Sequence, residues 1–178
     1  MKLWSGPAAN FSPAKISVQR SPPASICDFN AAPGLTDETG LIGTEPNLAR
    51  PGKRMLSSMT PTILAKDGSL AMVIGSPGGR TIINTVLLNI LNVVDFGMNI
   101  QDAIDFPRFH HQWLPDRIGY EKNGISPDTV ALLRARGHTV VESPYTQGFA
   151  AGIVWNKTDK LIEGGVDRRV LDGAAIGR

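Results

Sequence analysis

Residues 60–79 read TPTILAKDGSLAMVIGSPGG, and this stretch decides the fold. Two β-rich runs, Thr60–Ala65 and Leu70–Ile74, flank Lys66-Asp67-Gly68-Ser69, a turn signal, so a hairpin is predicted. Gly75-Ser76-Pro77-Gly78-Gly79 then breaks the second strand, and a helix is predicted from about Thr81 to Val94. On that helix Thr81, Asn84, Thr85, Asn89 and Asn92 fall in one narrow polar stripe at about 100° per residue. Every other position is aliphatic, so the helix is expected to be mostly buried, with Gly97 ending it.

Downstream the chain keeps alternating strands and helices. A short helix is predicted after Asn99, with Asp102 in its first turn, stopping before Pro107. Another starts with Ser126 as N-cap, Pro127 at the first position and Asp128 near the positive helix end. Arg134 and Arg136 suit its last turn and Gly137 the cap beyond. Thr139–Glu142 reads as a strand, and Phe149–Trp155 with Lys160–Glu163 as a further hairpin. The expected class is α/β (α+β), an antiparallel sheet of hairpins with helices packed on it.

Upstream the character changes. Residues 27–53 are rich in Gly, Pro, Asn and Thr and read as a long loop. Residues 1–26 show no sustained period and read as a separate, disordered or poorly packed segment, so the domain is expected over 27–178. Lys2, Lys15 and Arg20 give residues 1–27 a charge of +3 against +2 for the whole chain, leaving −1 elsewhere. A positive excess on a Ser/Pro/Ala-rich tail is not a basic face on a folded element, which argues against nucleic acid as a partner. Prolines at 7, 13, 22 and 23 and the lack of an apolar core exclude a signal peptide there. No apolar run reaches the roughly 20 residues of a membrane span. The single Cys27 excludes an intrachain disulfide framework and an all-cysteine metal site. At 178 residues the chain fits one compact domain.

Two features around the first hairpin could carry chemistry. Ser57 and Ser58, just before the first strand, present two hydroxyl donors for an anion such as a carboxylate. Gly78-Gly79, just before the helix, exposes backbone N–H groups able to hold the negative oxygen of a tetrahedral intermediate. Both lie at strand ends of one hairpin and can converge on one pocket. Other readings are weaker. The 75–79 loop lacks the Gly-Lys-Ser/Thr ending of a P-loop and the spacing of a dinucleotide-binding turn. Ser76 is not in a Gly-x-Ser-x-Gly elbow. His110-His111 with Asp116 is read as structural rather than as a metal site, since adjacent histidines rarely face the same way.

Taken together, Pro51-Gly52-Lys53-Arg54-Met55-Leu56-Ser57-Ser58-Met59-Thr60-Pro61-Thr62-Ile63 and Gly75-Ser76-Pro77-Gly78-Gly79 resemble the signature runs of γ-glutamyltranspeptidases, members of the N-terminal nucleophile hydrolase superfamily. The resemblance continues through Pro107-Arg108-Phe109-His110-His111-Gln112-Trp113-Leu114-Pro115 and Ser126-Pro127-Asp128, and closes at Gly165-Val166-Asp167-Arg168-Arg169. It implies an αββα sandwich, here incomplete, and transfer of the γ-glutamyl group of glutathione or related donors to amino acids, peptides or water. Neither metal nor organic cofactor is implied. By the same resemblance Ser57 and Ser58 bind the substrate α-carboxylate, Gly78 and Gly79 form the oxyanion hole, and Asp28, before Phe29, binds the α-amino group. A large subunit of the same precursor is the implied partner, and intact relatives are typically periplasmic or extracellular.

One departure bears on activity. The family nucleophile is a threonine opening a Thr-Thr-His-type run some tens of residues upstream, acting through its hydroxyl with its own α-amino group as base. Residues 1–26 contain no threonine, and the first in the chain is Thr36. Ser25-Ile26-Cys27 also differ from the family's pattern before Asp28-Phe29. The expectation is a truncated or frame-shifted product with negligible activity alone; the alternative is a non-catalytic binding or assembly chain keeping the glutamate-recognition loops.

Overall fold

The computed structural model describes residues 47–55, 57, 59–113, 115–170 and 173–176. The expectations for residues 1–46, Asp28 among them, lie outside that set, as does Ser58.

The first hairpin forms as predicted. β1 (Thr62–Lys66) and β2 (Ser69–Gly75) pair antiparallel across Asp67-Gly68, both at positive φ (51° and 73°), the backbone a two-residue turn demands. A register shift at Leu64/Ala65 marks a bulge. The 3-10 turn Gly79–Thr81 leads into α1 (Ile82–Val94), and Gly97 follows at φ 66°. α2 (Ile100–Asp105) is capped by Asn99, whose side chain accepts from the Asp102 N–H at 2.8 Å and donates to its carboxylate at 2.6 Å. β6 (Ala151–Asn156) and β7 (Leu161–Val166) make the second predicted hairpin. The two hairpins join through β2 and β6, giving a four-stranded antiparallel sheet in the order β1-β2-β6-β7.

A second, smaller sheet was not foreseen. β3 (Phe109–His110) pairs antiparallel with β4 (Ile118–Tyr120), and β4 pairs parallel with β5 (Val140–Glu142), so the fold is not purely antiparallel. α3 (Pro127–Ala135) precedes β5. Ser126 occupies its N-cap, but the hydroxyl donates to Thr129 Oγ1 at 2.8 Å rather than capping a backbone N–H.

α1 and α2 cover one face of the large sheet. Leu64, Met72 and Ile74 from the strands meet Val86, Ile100 and Ile104 from the helices, with Ala150 at the margin. Burying each large aliphatic side chain contributes roughly 1.5–3 kcal/mol. α2 approaches the strands closely because Gly152 and Gly165 lie under it: a Cβ on Gly165 would stand 3.0 Å from Ile104 Cδ1 and 3.1 Å from the Ile100 backbone.

α1 is less buried than expected, and its polar stripe is not its solvent side. Thr85 and Asn89 are buried, whereas Ile83 and Leu87 are 58% and 50% exposed. The reason is that short polar chains here tie neighbouring segments together. Asn84 donates to the Phe109 carbonyl, Thr85 to the Gln147 carbonyl at 3.1 Å, and Asn92 to the Ala103 carbonyl at 3.3 Å.

The opposite sheet face is also apolar. Cross-strand partners in an antiparallel pair share a face, so Val73, Ile153, Trp155 and Ile162 line it. Residues 173–176 approach it at Gly164, where a Cβ would stand 3.1 Å from Ala175 Cβ, but Ile162 stays 65% exposed. No helix among the described residues is long and apolar enough to cross a membrane.

Candidate functional site

The loop after β2 holds the Gly-Gly step. Gly78 sits at φ 141° and Gly79 at φ 57°, values that side-chain-bearing residues rarely adopt. Both glycines are exposed, and a Cβ on Gly79 would meet nothing within 4 Å. Among the described residues no acceptor faces either N–H. The Gly78 carbonyl is turned inward, accepting from the Thr81 N–H at 3.1 Å and the Thr81 hydroxyl at 2.9 Å. Ser76 is bound into the loop as well: its hydroxyl donates to the Pro77 carbonyl at 2.6 Å and accepts from the Phe149 N–H at 3.0 Å. That double engagement is a fixing role.

Ser57 is exposed on the segment entering β1. The register Thr62↔Ile74 puts the entry of β1 beside the exit of β2, so Ser57 and the Gly78–Gly79 loop leave the same end of the sheet. Asp28 and Ser58 are outside the described residues.

Beneath this loop lies a charge cluster that sequence reading did not assemble. Arg108, 2% exposed, donates through Nη2 to Asp167 Oδ2 at 2.7 Å and through Nη1 to the carbonyls of Gln147 (2.7 Å) and Gly148 (3.1 Å). Glu121 accepts from the N–H groups of Arg108 (3.0 Å) and Gln147 (2.7 Å). Arg169 bridges Asp167 at 3.0 Å and Glu121 at 2.6 Å. Two arginines and two carboxylates balance one another, as buried charges must. Burial pushes the Asp167 carboxyl up, but the hydrogen bonds from Arg108 and Arg169 outweigh it and hold the group below the usual carboxylate range. Arg169 is raised: burial works against its charge, and its contacts with Asp167 and Glu121 more than offset that. These residues come from strand ends and loops far apart in the chain. Arg108, Asp167 and Arg169 were marked in advance only by their membership of the quoted Pro107–Pro115 and Gly165–Arg169 runs, and Glu121 was not marked at all.

The adjacent histidines have separate engagements. His110 Nε2 faces Gln112 Oε1 at 2.8 Å and His111 Nε2 faces Asp116 Oδ1 at 3.0 Å.

Comparison with known proteins shows the family. The γ-glutamyltranspeptidase family profile matches residues 25–177. The glutathione hydrolase proenzyme of Escherichia coli K12 is 53% identical over 113 residues, 64% of this chain and 19% of the proenzyme. The chain therefore spans about a fifth of the length of such relatives. A T380A mutant of Helicobacter pylori γ-glutamyltranspeptidase superposes with a TM-score of 0.73 at 41% identity, covering 80% of this chain and 77% of that one. A Pseudomonas nitroreducens γ-glutamyltranspeptidase complexed with L-DON gives 0.72 at 34% identity, covering 85% and 77%.

Proposed function

Since the chain belongs to the γ-glutamyltranspeptidase family, we propose that it forms the substrate-holding half of a γ-glutamyl transfer site. Gly78 and Gly79 direct their N–H groups at the oxygen that becomes negative when the γ-carbonyl is attacked. One such donor is worth about 3–4 kcal/mol of barrier. Ser57 and Ser58 hydrogen-bond the α-carboxylate of the γ-glutamyl group. Asp28 pairs with its α-ammonium, a charge-assisted contact.

The donor is glutathione or a related γ-glutamyl compound, and the acceptor is an amino acid, a peptide or water. The reaction passes through a γ-glutamyl ester of a threonine, whose hydroxyl attacks while its α-amino group takes the proton. None of residues 1–26 is a threonine. The nucleophile of the proposed reaction is therefore not assigned to any of these residues, and the large subunit of a shared precursor is the proposed partner, in keeping with relatives named as proenzymes. These 178 residues on their own are predicted to bind without turnover.

The observation that most supports this reading is the 75–79 loop, which presents two exposed glycine N–H groups without an acceptor among the described residues, on a fixed support. Calorimetric titration of the full chain with L-glutamate tests it. Saturable heat that Ser58→Ala removes is the expected result. Equal heats for wild type and Ser58→Ala would refute the assignment of the carboxylate-binding serines.

A further inference from the structure

We propose that the segment Gln147-Gly148-Phe149 is a brace that sets the position of the Gly78–Gly79 amides, with Gly148 as the positioning residue at the contact. The proposal rests on the reading of those amides as oxyanion donors.

The contact is backbone against backbone. A Cβ on Gly78 would stand 2.8 Å from Gly148 Cα and 3.3 Å from its nitrogen. A Cβ on Gly148, itself at φ 71°, would stand 2.7 Å from Ser76 Oγ, 2.8 Å from Thr85 Oγ1 and 3.1 Å from the Pro77 carbonyl oxygen. Neither glycine can carry a side chain without moving the other segment. Hydrogen bonds close the same joint: the Phe149 N–H reaches Ser76 Oγ at 3.0 Å and the Pro77 carbonyl at 3.3 Å, and the Thr85 hydroxyl reaches the Gln147 carbonyl at 3.1 Å.

A brace must itself be rigid, and the charge cluster makes it so. Arg108 holds the carbonyls of Gln147 and Gly148, Glu121 holds the Gln147 N–H, and Asp167 accepts from the Ala150 N–H at 3.1 Å. Residues 147, 148 and 150 are thus fixed by buried charges, while Gly148 and Phe149 meet the 76–78 loop. The exposed donors of the site inherit their position from residues that never touch substrate. Oxyanion donors act through preorganisation, so a displacement at Gly148 is felt as lost alignment rather than lost binding groups.

Amide resonances of the full-length, 15N-labelled chain read this directly. Gly148→Ala is expected to displace the 1H–15N peaks of Gly78 and Gly79 while those of Gly68 and Gly97 stay in place. Thr85→Val, which removes the hydroxyl beside the joint, moves the same two peaks, and Thr85→Ser returns them to their wild-type positions. A folded Gly148→Ala with unmoved Gly78 and Gly79 peaks overturns the proposal. If Gly148→Ala does not fold, the Thr85 pair decides: Gly78 and Gly79 peaks unmoved in Thr85→Val overturn it equally. Titrating the wild type with a tetrahedral phosphonate analogue of the γ-glutamyl group separates the underlying reading. Peaks that ignore the phosphonate but still move in Gly148→Ala leave the brace standing and remove the oxyanion role.

Discussion

Asp167 is 1% exposed and accepts hydrogen bonds from two guanidinium groups and from the Ala150 and Arg169 N–H groups. Replacing it with asparagine leaves Arg108 buried without its counter-charge, and breaking a buried pair this way costs about 3–5 kcal/mol. Denaturant unfolding of Asp167→Asn should show that loss. The depressed folded pKa of Asp167 also fixes a pH window. Its contribution is fully present above the unfolded carboxylate value near 3.9 and is lost as pH falls through the lower folded value. Melting temperature should therefore hold level above about pH 5 and fall below it, and the fall should be shallower in Asp167→Asn. At this scale the sequence offered Gly78 and Gly79 as candidate oxyanion donors only together with the other quoted runs, because a Gly-Gly step before a helix is by itself most often a tight connection. It did not reveal the Arg108–Asp167 pair, because nothing local links residues 59 positions apart.

Elements were legible where their signals were local. Asn99 and Asp102 announced α2, and Asp67-Gly68 announced the first hairpin. Asn99→Ala should cost about 1 kcal/mol in a thermal or chemical melt, the usual loss for a cap. The polar stripe of α1 did not show how the helix sits, because Thr85 and Asn92 spend their hydrogen bonds on neighbouring backbone. β3 and β4 were missed because two- and three-residue strands are too short to show alternation. Two glycines separate packing from freedom. Gly165→Ala drives a methyl against Ile104 and the Ile100 backbone and should cost about 1–3 kcal/mol. Gly75→Ala, with nothing within 4 Å of its Cβ, should be near neutral in the same unfolding experiment.

For the whole molecule, helices cover one sheet face while Ile153, Trp155 and Ile162 on the other stay exposed among the described residues. Exposed apolar faces and free edge strands promote association. Sedimentation should find concentration-dependent self-association, and the double change Ile153→Lys with Ile162→Lys should shift the chain toward monomer. The β2–β6 pairing that builds this sheet joins segments about eighty positions apart, Val73 with Ile153, and no single-sequence pattern predicts it. The class was readable because each hairpin is local; the order of the strands was not. The proposed function gives this chain the binding half of a γ-glutamyl site and not the reacting half. Titrating the full chain with a chromogenic γ-glutamyl anilide reads both at once. The prediction is saturable binding heat with no release of the coloured amine; steady amine release, or no binding heat at all, would contradict it.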